Sequence, residues 1–145
     1  MNSVAQVLKT AQAEILRNGL SVGGYARAPA GTPNGGKLIG WEDALNCPLC
    51  MLGAIGKAAQ VPTSALKFSF DDRTSSNRLL NAQALQAIEY LYKAVTELWP
   101  QAEKGAQSSF RQMRIIADYN DRMNDKNLVA KAFELAIAKA VADGK

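Results

Sequence analysis

The chain has 145 residues, of which 48% are apolar and 21% are charged, and these proportions favour one globular domain over two domains or a disordered chain. Lysine and arginine exceed aspartate and glutamate by 17 to 13, so the net charge of +4 is modest. Histidine is absent and cysteine occurs twice, which excludes Ser-His-Asp and Cys-His catalysis, histidine-ligated metals and a four-cysteine zinc site. We therefore predict no metal and no cofactor.

The first twenty residues do not resemble a targeting segment. Lys9, Glu14 and Arg17 interrupt their apolar residues, which argues against a signal peptide. No part of the chain approaches the ~20 consecutive apolar residues that cross a bilayer. We therefore expect a cytoplasmic protein without membrane contact, in which Cys47 and Cys50 are reduced.

The first predicted helix covers about residues 3–18. Asn2 or Ser3 can cap its start, and Asn18-Gly19 can end it. The residues that predict its buried face recur at helical spacing and are Val4, Val7, Leu8, Ala11 and Ile15.

Residues 20–40 are rich in glycine and proline and predict a loop or a small hairpin. In the hairpin, residues 20–27 would pair with residues 37–39. A loop of this length in a compact domain is usually functional or mobile. Residues 41–45, which begin with Trp41, predict a helical turn.

A second helix is predicted over about residues 48–60. Pro48 suits the first position of a helix, with Asn46 or Cys47 as its cap. Gly53 and Gly56 lie inside this segment, although glycine costs about 1 kcal/mol relative to alanine within a helix. Two such glycines predict that another helix or a ligand packs very close.

Three more helices follow a polar, turn-rich segment at residues 63–76, which carries Phe68 and Phe70. The longest begins at Asn77 or Ser76 and ends at Leu98, and a shorter one covers about Ser108 to Asp118. The last covers about Asp125 to Ala142, with Asn124 or Asp125 as its cap.

These elements predict a mainly α fold, a single compact domain of about five helices that spans residues 1–145, with at most one small hairpin at residues 20–40. The alternative is an α+β domain in which residues 20–40 and 66–70 form a minimal sheet.

Cys47-Pro48-Leu49-Cys50 places two thiols at the start of the second predicted helix. Backbone amides and the helix dipole lower the pKa of a thiol in such a position. Three roles remain open: buried structural cysteines, a reactive thiol, and half of a metal site. The structural role is favoured, because cysteine is among the residues most often buried and no βαβ pattern surrounds this motif.

Residues 118–125 hold a dense group of carboxylates and amides. The calcium-loop pattern fails, because Arg122 stands where a ligand is needed and no glycine follows. Asp and Asn that end one helix and cap the next are the favoured interpretation. The alternative is a ligand-binding role for Asn120 or Asp121.

Trp41, Glu42 and Asp43 lie beside the glycine-rich loop. Adjacent side chains do not face each other on a helix, so the two carboxylates do not predict a cooperating acid–base pair. Trp41 is either a core residue or one wall of a ligand pocket.

Lys104, Arg111 and Arg114 form the most one-sided cationic stretch, with no acid between Glu103 and Asp118. They predict a solvated helix face or a contact with phosphate or an acidic partner. The absence of an aromatic stacking platform argues against a nucleic acid partner.

The residues Cys50-Met51-Leu52-Gly53-Ala54-Ile55 and Tyr119-Asn120-Asp121, with a final amphipathic helix, resemble the pattern of a family of small uncharacterised proteins from bacteria and their phages. That pattern has a Cys-x-x-Gly-Ala-Leu segment and a Trp-Asn-Asp triplet. This chain departs from it at Ile55 and Tyr119. The resemblance covers about residues 5–140 and carries no known activity, but it implies a phage or prophage setting and the host cytoplasm.

Two functional hypotheses follow. The first is a non-enzymatic binding protein that acts on a host protein, on a second copy of itself, or by sequestering a small molecule. The second is a small-ligand-binding protein or Cys-dependent enzyme. Its pocket would be built from Trp41, Cys50, Gly53, Asn120 and Asp121.

Overall fold

The computed structural model describes residues 2–29, 31–33, 35–40, 46–62 and 81–145. These residues contain five helices: α1 (Val4–Asn18), α2 (Met51–Ala58), α3 (Ala82–Leu98), α4 (Ser109–Met123) and α5 (Lys126–Ala142). The prediction of a mainly α fold is confirmed. Every helix in the described ranges is too short or too polar to cross a lipid bilayer.

The first helix, α1, packs against α5 and α2. The helix α3 packs against α5 and α4. The residues with the largest fully buried side chains come from every helix and include Leu8, Ile55, Ile88, Ile116 and, on α5, Phe133. One continuous apolar core therefore lies between α1, α3 and α5, and α2 and α4 meet at its edge.

The predicted ends of α1 are confirmed. Ser3 is the N-cap, and its side chain accepts a hydrogen bond of 3.1 Å from the Gln6 amide. Gly19 follows the helix with φ +100°, a backbone conformation that favours glycine.

The start of α2 lies later than predicted. Pro48 is not its first residue, and Cys50 is the N-cap instead of Asn46 or Cys47. The reason is that the backbone before Met51 is extended and pairs with the preceding loop. The Leu49 amide donates to the Gly19 carbonyl over 3.2 Å, and the Cys50 amide donates to the Tyr25 carbonyl over 2.9 Å.

In α3 the first residue is Ala82 and the N-cap is Asn81, whose side chain accepts from the Ala84 amide over 2.8 Å. The Asn81 amide group also donates to the Ala59 carbonyl, so one side chain joins the end of α2 to the start of α3. The predicted caps Asn77 and Ser76 lie outside the described residues.

The helix α4 is longer than predicted and ends at Met123 instead of Asp118. Tyr119 and Asn120 continue its buried face past that point. Asn124 then adopts the left-handed conformation, and Asp125 caps α5 as predicted. Asn120 and Asp121 therefore lie on the last turns of a helix and not in a loop between two helices.

Residues 20–40 pair with each other and with the start of α2 only at isolated points. Arg27 pairs with Leu38, and Leu49 pairs with both Leu20 and Ala26. The described part of this segment forms no continuous strand. The predicted helical turn at 41–45 and the segment at 63–76, with Phe68 and Phe70, lie outside the described residues.

Candidate functional site

A cavity of about 510 Å³ opens where the loop after α1, the start of α2 and the end of α4 meet. Its lining consists of residues 23–25, 38–39 and 50–52, together with Ala117, Asn120 and Asp121. The surface is mainly apolar, with a few polar groups from α4. This size and composition are typical of small-molecule sites.

Asn120 joins the three segments that surround this cavity. Its Oδ1 accepts a hydrogen bond of 2.9 Å from the Met51 amide, at the start of α2. Its Nδ2 donates to the Ser21 carbonyl over 2.9 Å. Asn120 is 1% exposed, so these bonds are made without competition from water. The side chain therefore fixes the cavity floor.

Asp121 lies beside Asn120 but is exposed. Its Oδ1 accepts a hydrogen bond of 3.1 Å from the Gly23 amide and another of 3.1 Å from Asn120 Nδ2. The carboxylate is therefore held in one orientation at the edge of the cavity. It also ties the loop that carries Gly23 to α4.

Cys50 lines the cavity, and its thiol caps α2. Its Sγ accepts a hydrogen bond of 3.3 Å from the Gly53 amide. Burial raises the pKa of this thiol from 9.0 to about 12, although the backbone hydrogen bonds from Gly53 and Leu52 act in the opposite direction. The prediction that the helix start lowers the thiol pKa is wrong, because desolvation outweighs the dipole.

The two cysteines are not joined in a disulfide, and both are buried. Burial also raises the pKa of the Cys47 thiol. A thiol that stays protonated at neutral pH is a poor nucleophile and a poor metal ligand. Within the described ranges, no three Cys, Asp or Glu side chains are grouped so that they could hold a metal ion.

Gly53 does not line the cavity but lets its walls meet. A Cβ atom at Gly53 would lie 2.3 Å from the Tyr25 carbonyl oxygen and 3.0 Å from its carbon. The close approach predicted from the glycines of α2 is present at Gly53, but its partner is the backbone of the loop after α1 instead of another helix or a ligand.

The opposite wall is built from residues that the sequence did not single out. Leu38 is 54% exposed and packs on Gly24, where a Cβ atom would lie 2.1 Å from Leu38 Cδ2. Arg27 holds this wall, because Nη1 donates to the Gly36 carbonyl and Nη2 to the Val22 carbonyl, both over 2.8 Å. The signal that could have found this wall is the pair Gly23-Gly24 in a long loop.

The structure therefore brings together Cys50, Asn120 and Asp121, with Gly53 directly behind them. Trp41, which was predicted to form part of the same pocket, lies outside the described residues. The prediction that Asn and Asp residues end one helix and cap the next is confirmed for Asn124 and Asp125, which end α4 and begin α5.

The cationic stretch is paired with an acid that precedes it. Arg111 makes an ion pair with Glu103, with its Nη2 and a carboxylate oxygen 2.9 Å apart. Arg114 lines a separate groove of about 370 Å³ together with Glu103 and Asp118. Lys104 is exposed on the segment before α4. The acid at the start of this stretch, Glu103, folds back onto Arg111, which reduces the positive potential offered to phosphate.

The model of a family of unknown function, DUF6197, matches residues 1–139. No curated protein and no solved structure matches the chain.

Proposed function

Because the chain belongs to DUF6197, a family of unknown function, we propose its function from the site alone: a non-enzymatic protein that binds a small, mainly apolar molecule. The observation that carries this proposal is the cavity of about 510 Å³ between residues 23–25, the start of α2 and the end of α4. Ligand sites of roughly 300–1,000 Å³ with a few fixed polar groups bury most of a small molecule.

The floor of the cavity supports binding because it is organised before a ligand arrives. Asn120 already bonds the Met51 amide and the Ser21 carbonyl, so ordering of these segments is not left to the binding step. The exposed Leu38 at the opposite wall can change rotamer to admit a molecule. A fixed floor with one adaptable wall suits reversible binding.

The chemistry at the cavity does not favour catalysis. The pKa of Cys50 is raised to about 12, so its thiol is neutral at physiological pH. A nucleophile of this kind needs an adjacent base, and the chain has no histidine to supply one. The hypothesis of a Cys-dependent enzyme is therefore the weaker of the two.

The test uses N-phenyl-1-naphthylamine, a neutral apolar probe whose fluorescence rises when it leaves water. We expect saturable binding by the wild-type protein. The variant Ala117→Phe places a ring in the cavity, and we expect it to bind the probe at least about tenfold more weakly. Ala138→Phe makes the same change at an exposed position on α5 and is the matched control.

Ala117 is half-buried, so circular dichroism and a thermal melt must show that its variant folds. If Ala117→Phe does not fold, Ala117→Leu replaces it. The proposal fails if the folded Ala117 variant and Ala138→Phe bind the probe equally, because the probe then lies elsewhere.

A further inference from the structure

We propose that the ligand of this cavity is an organic cation, with an apolar body inside the cavity and an ammonium, amidinium or guanidinium group against Asp121. This inference rests on the proposed function and adds the charge class of the ligand. Four observations support it, and each concerns a different group at the cavity.

The first observation is the charge of the lining. Asp121 is the one charged side chain among the described residues that line the cavity. In that part of the chain, the ion pairs within 4 Å involve Glu14, Glu89, Glu97 and Glu103 but not Asp121. A carboxylate without a counter-ion at the edge of an apolar cavity attracts a cation.

The second observation is the geometry of that carboxylate. Both of its hydrogen bonds, from the Gly23 amide and from Asn120 Nδ2, end on Oδ1. Within the described residues, Oδ2 accepts no hydrogen bond. The protein therefore orients the group through one oxygen and leaves the other for a donor from outside, such as an N–H group of a ligand.

The third observation concerns the nearest arginine on the same loop. The Arg27 guanidinium lies near Gly23, at 3.6 Å from the position of a Cβ atom there. Its hydrogen bonds, however, go to the carbonyls of Gly36 and Val22. Arg27 thus stabilises the loop wall, and the ion pairs of the described residues do not include one between Arg27 and Asp121.

The fourth observation argues against an anionic ligand. A helix start offers amides to anions, but here the protein uses them itself. The Met51 amide donates to Asn120 Oδ1, and the Gly53 amide donates to Cys50 Sγ. Burial is the main reason that the pKa of Cys50 is raised, and the charge of Asp121 acts in the same direction. Negative charge is therefore disfavoured at the same position.

The test compares three probes with the same phenyl group and nearly the same length: 4-phenylbutylammonium, 4-phenylbutanol and 4-phenylbutanoate. Binding to the full-length protein is measured by calorimetry or by NMR titration at low salt. We expect the cation to bind about fivefold more tightly than the alcohol, as for an exposed ion pair, and the anion to bind most weakly. Added salt should reduce the difference between cation and alcohol.

The variant Asp121→Asn removes the charge but keeps an oxygen that can accept from Gly23. We expect it to lose the preference for the cation over the alcohol. Asp118→Asn removes a charge one turn away on the same helix, outside the cavity, and should keep the preference. Circular dichroism and a thermal melt show whether the Asp121 variant is folded.

The outcomes separate the two proposals. If the alcohol binds but the cation binds no more tightly, the charge class is wrong and the proposed function stands. If Asp121→Asn and Asp118→Asn reduce the preference equally, the effect is one of net charge and the inference is overturned. If neither the alcohol nor N-phenyl-1-naphthylamine binds, the proposed function fails and the inference fails with it.

Discussion

The two walls of the cavity both depend on a glycine in a very close contact, but the contacts differ in kind. At Gly53, a Cβ atom would lie 2.3 Å from the backbone oxygen of Tyr25. At Gly24, it would lie 2.1 Å from the end of the Leu38 side chain, which is 54% exposed. Backbone is held by its hydrogen bonds, whereas an exposed leucine can rotate. Similar distances therefore mark one fixed wall and one adaptable wall.

The largest loss of stability is expected from a change at Asn120, which fixes the floor of the cavity and the start of α2. Asn120→Ala leaves the buried Met51 amide and the Ser21 carbonyl without their partner. Each buried group left unsatisfied costs about 1–3 kcal/mol, so we expect a loss of about 3 kcal/mol in the free energy of unfolding, measured with urea. Asn127→Ala, at an exposed position on α5, is the control. A loss below about 1 kcal/mol would mean that water replaces the amide.

The second effect tests the backbone contact. Gly53→Ala should lower the free energy of unfolding by about 2 kcal/mol, because the new methyl group meets the Tyr25 carbonyl. Helix propensity alone would predict the opposite sign, a gain of up to about 1 kcal/mol. The sign of the change in urea unfolding therefore decides between a fixed and an adaptable contact. A more stable variant would contradict the comparison.

The third effect is a pH dependence of the free energy of unfolding, caused by the buried Cys50 thiol. The pKa of Cys50 is about 12 in the folded protein and 9.0 is its ordinary value, so the unfolded thiol loses its proton first as the pH rises. The stabilisation is complete below pH 9.0 and is lost as the pH rises through 9.0 toward about 12. Between pH 7.5 and 10, the free energy of unfolding of the wild type should fall by about 1 kcal/mol more than that of Cys50→Ser. Parallel curves for the two proteins would show that the thiol is accessible to water.

The smallest effect is expected at the adaptable wall. Gly24→Ala requires only that the Leu38 side chain move, so we expect a change in the free energy of unfolding below about 0.5 kcal/mol. The moved leucine should nonetheless change the affinity for N-phenyl-1-naphthylamine. A destabilisation as large as that of Gly53→Ala would show that both walls are fixed.

The helical fold could be predicted from the sequence because periodicity and caps are local. Ser3 and Asp125 cap α1 and α5 as their residue types predict. The start of α2 could not be placed in this way, because it is set by hydrogen bonds of Leu49 and Cys50 to a distant loop. Backbone partners of that kind leave no residue-type signal.

Three residues of the predicted pocket lie together in the structure, but their structural roles could not be predicted. Cys50, Asn120 and Asp121 were grouped in one predicted pocket, and they line one cavity. The thiol pKa was predicted in the wrong direction, because the dipole argument assumes an exposed thiol. The role of Asn120 as a three-way hydrogen-bonding centre depends on Ser21 and Met51, which no motif connects to it. A phage origin and a host-protein partner stay predictions.

The contact between the first and last helices has a consequence for synthesis on the ribosome. The buried face of α1 packs on α5, and the Ala5 amide donates to the Lys145 carbonyl over 3.3 Å. Because α1 is made before α5, it cannot complete its packing until α5 has been made. Until α5 leaves the exit tunnel, Leu8 and Ile15 have no complete partner surface, and the nascent chain exposes apolar residues that a chaperone can bind. Docking of α5 on α1 is then a late step in forming this core.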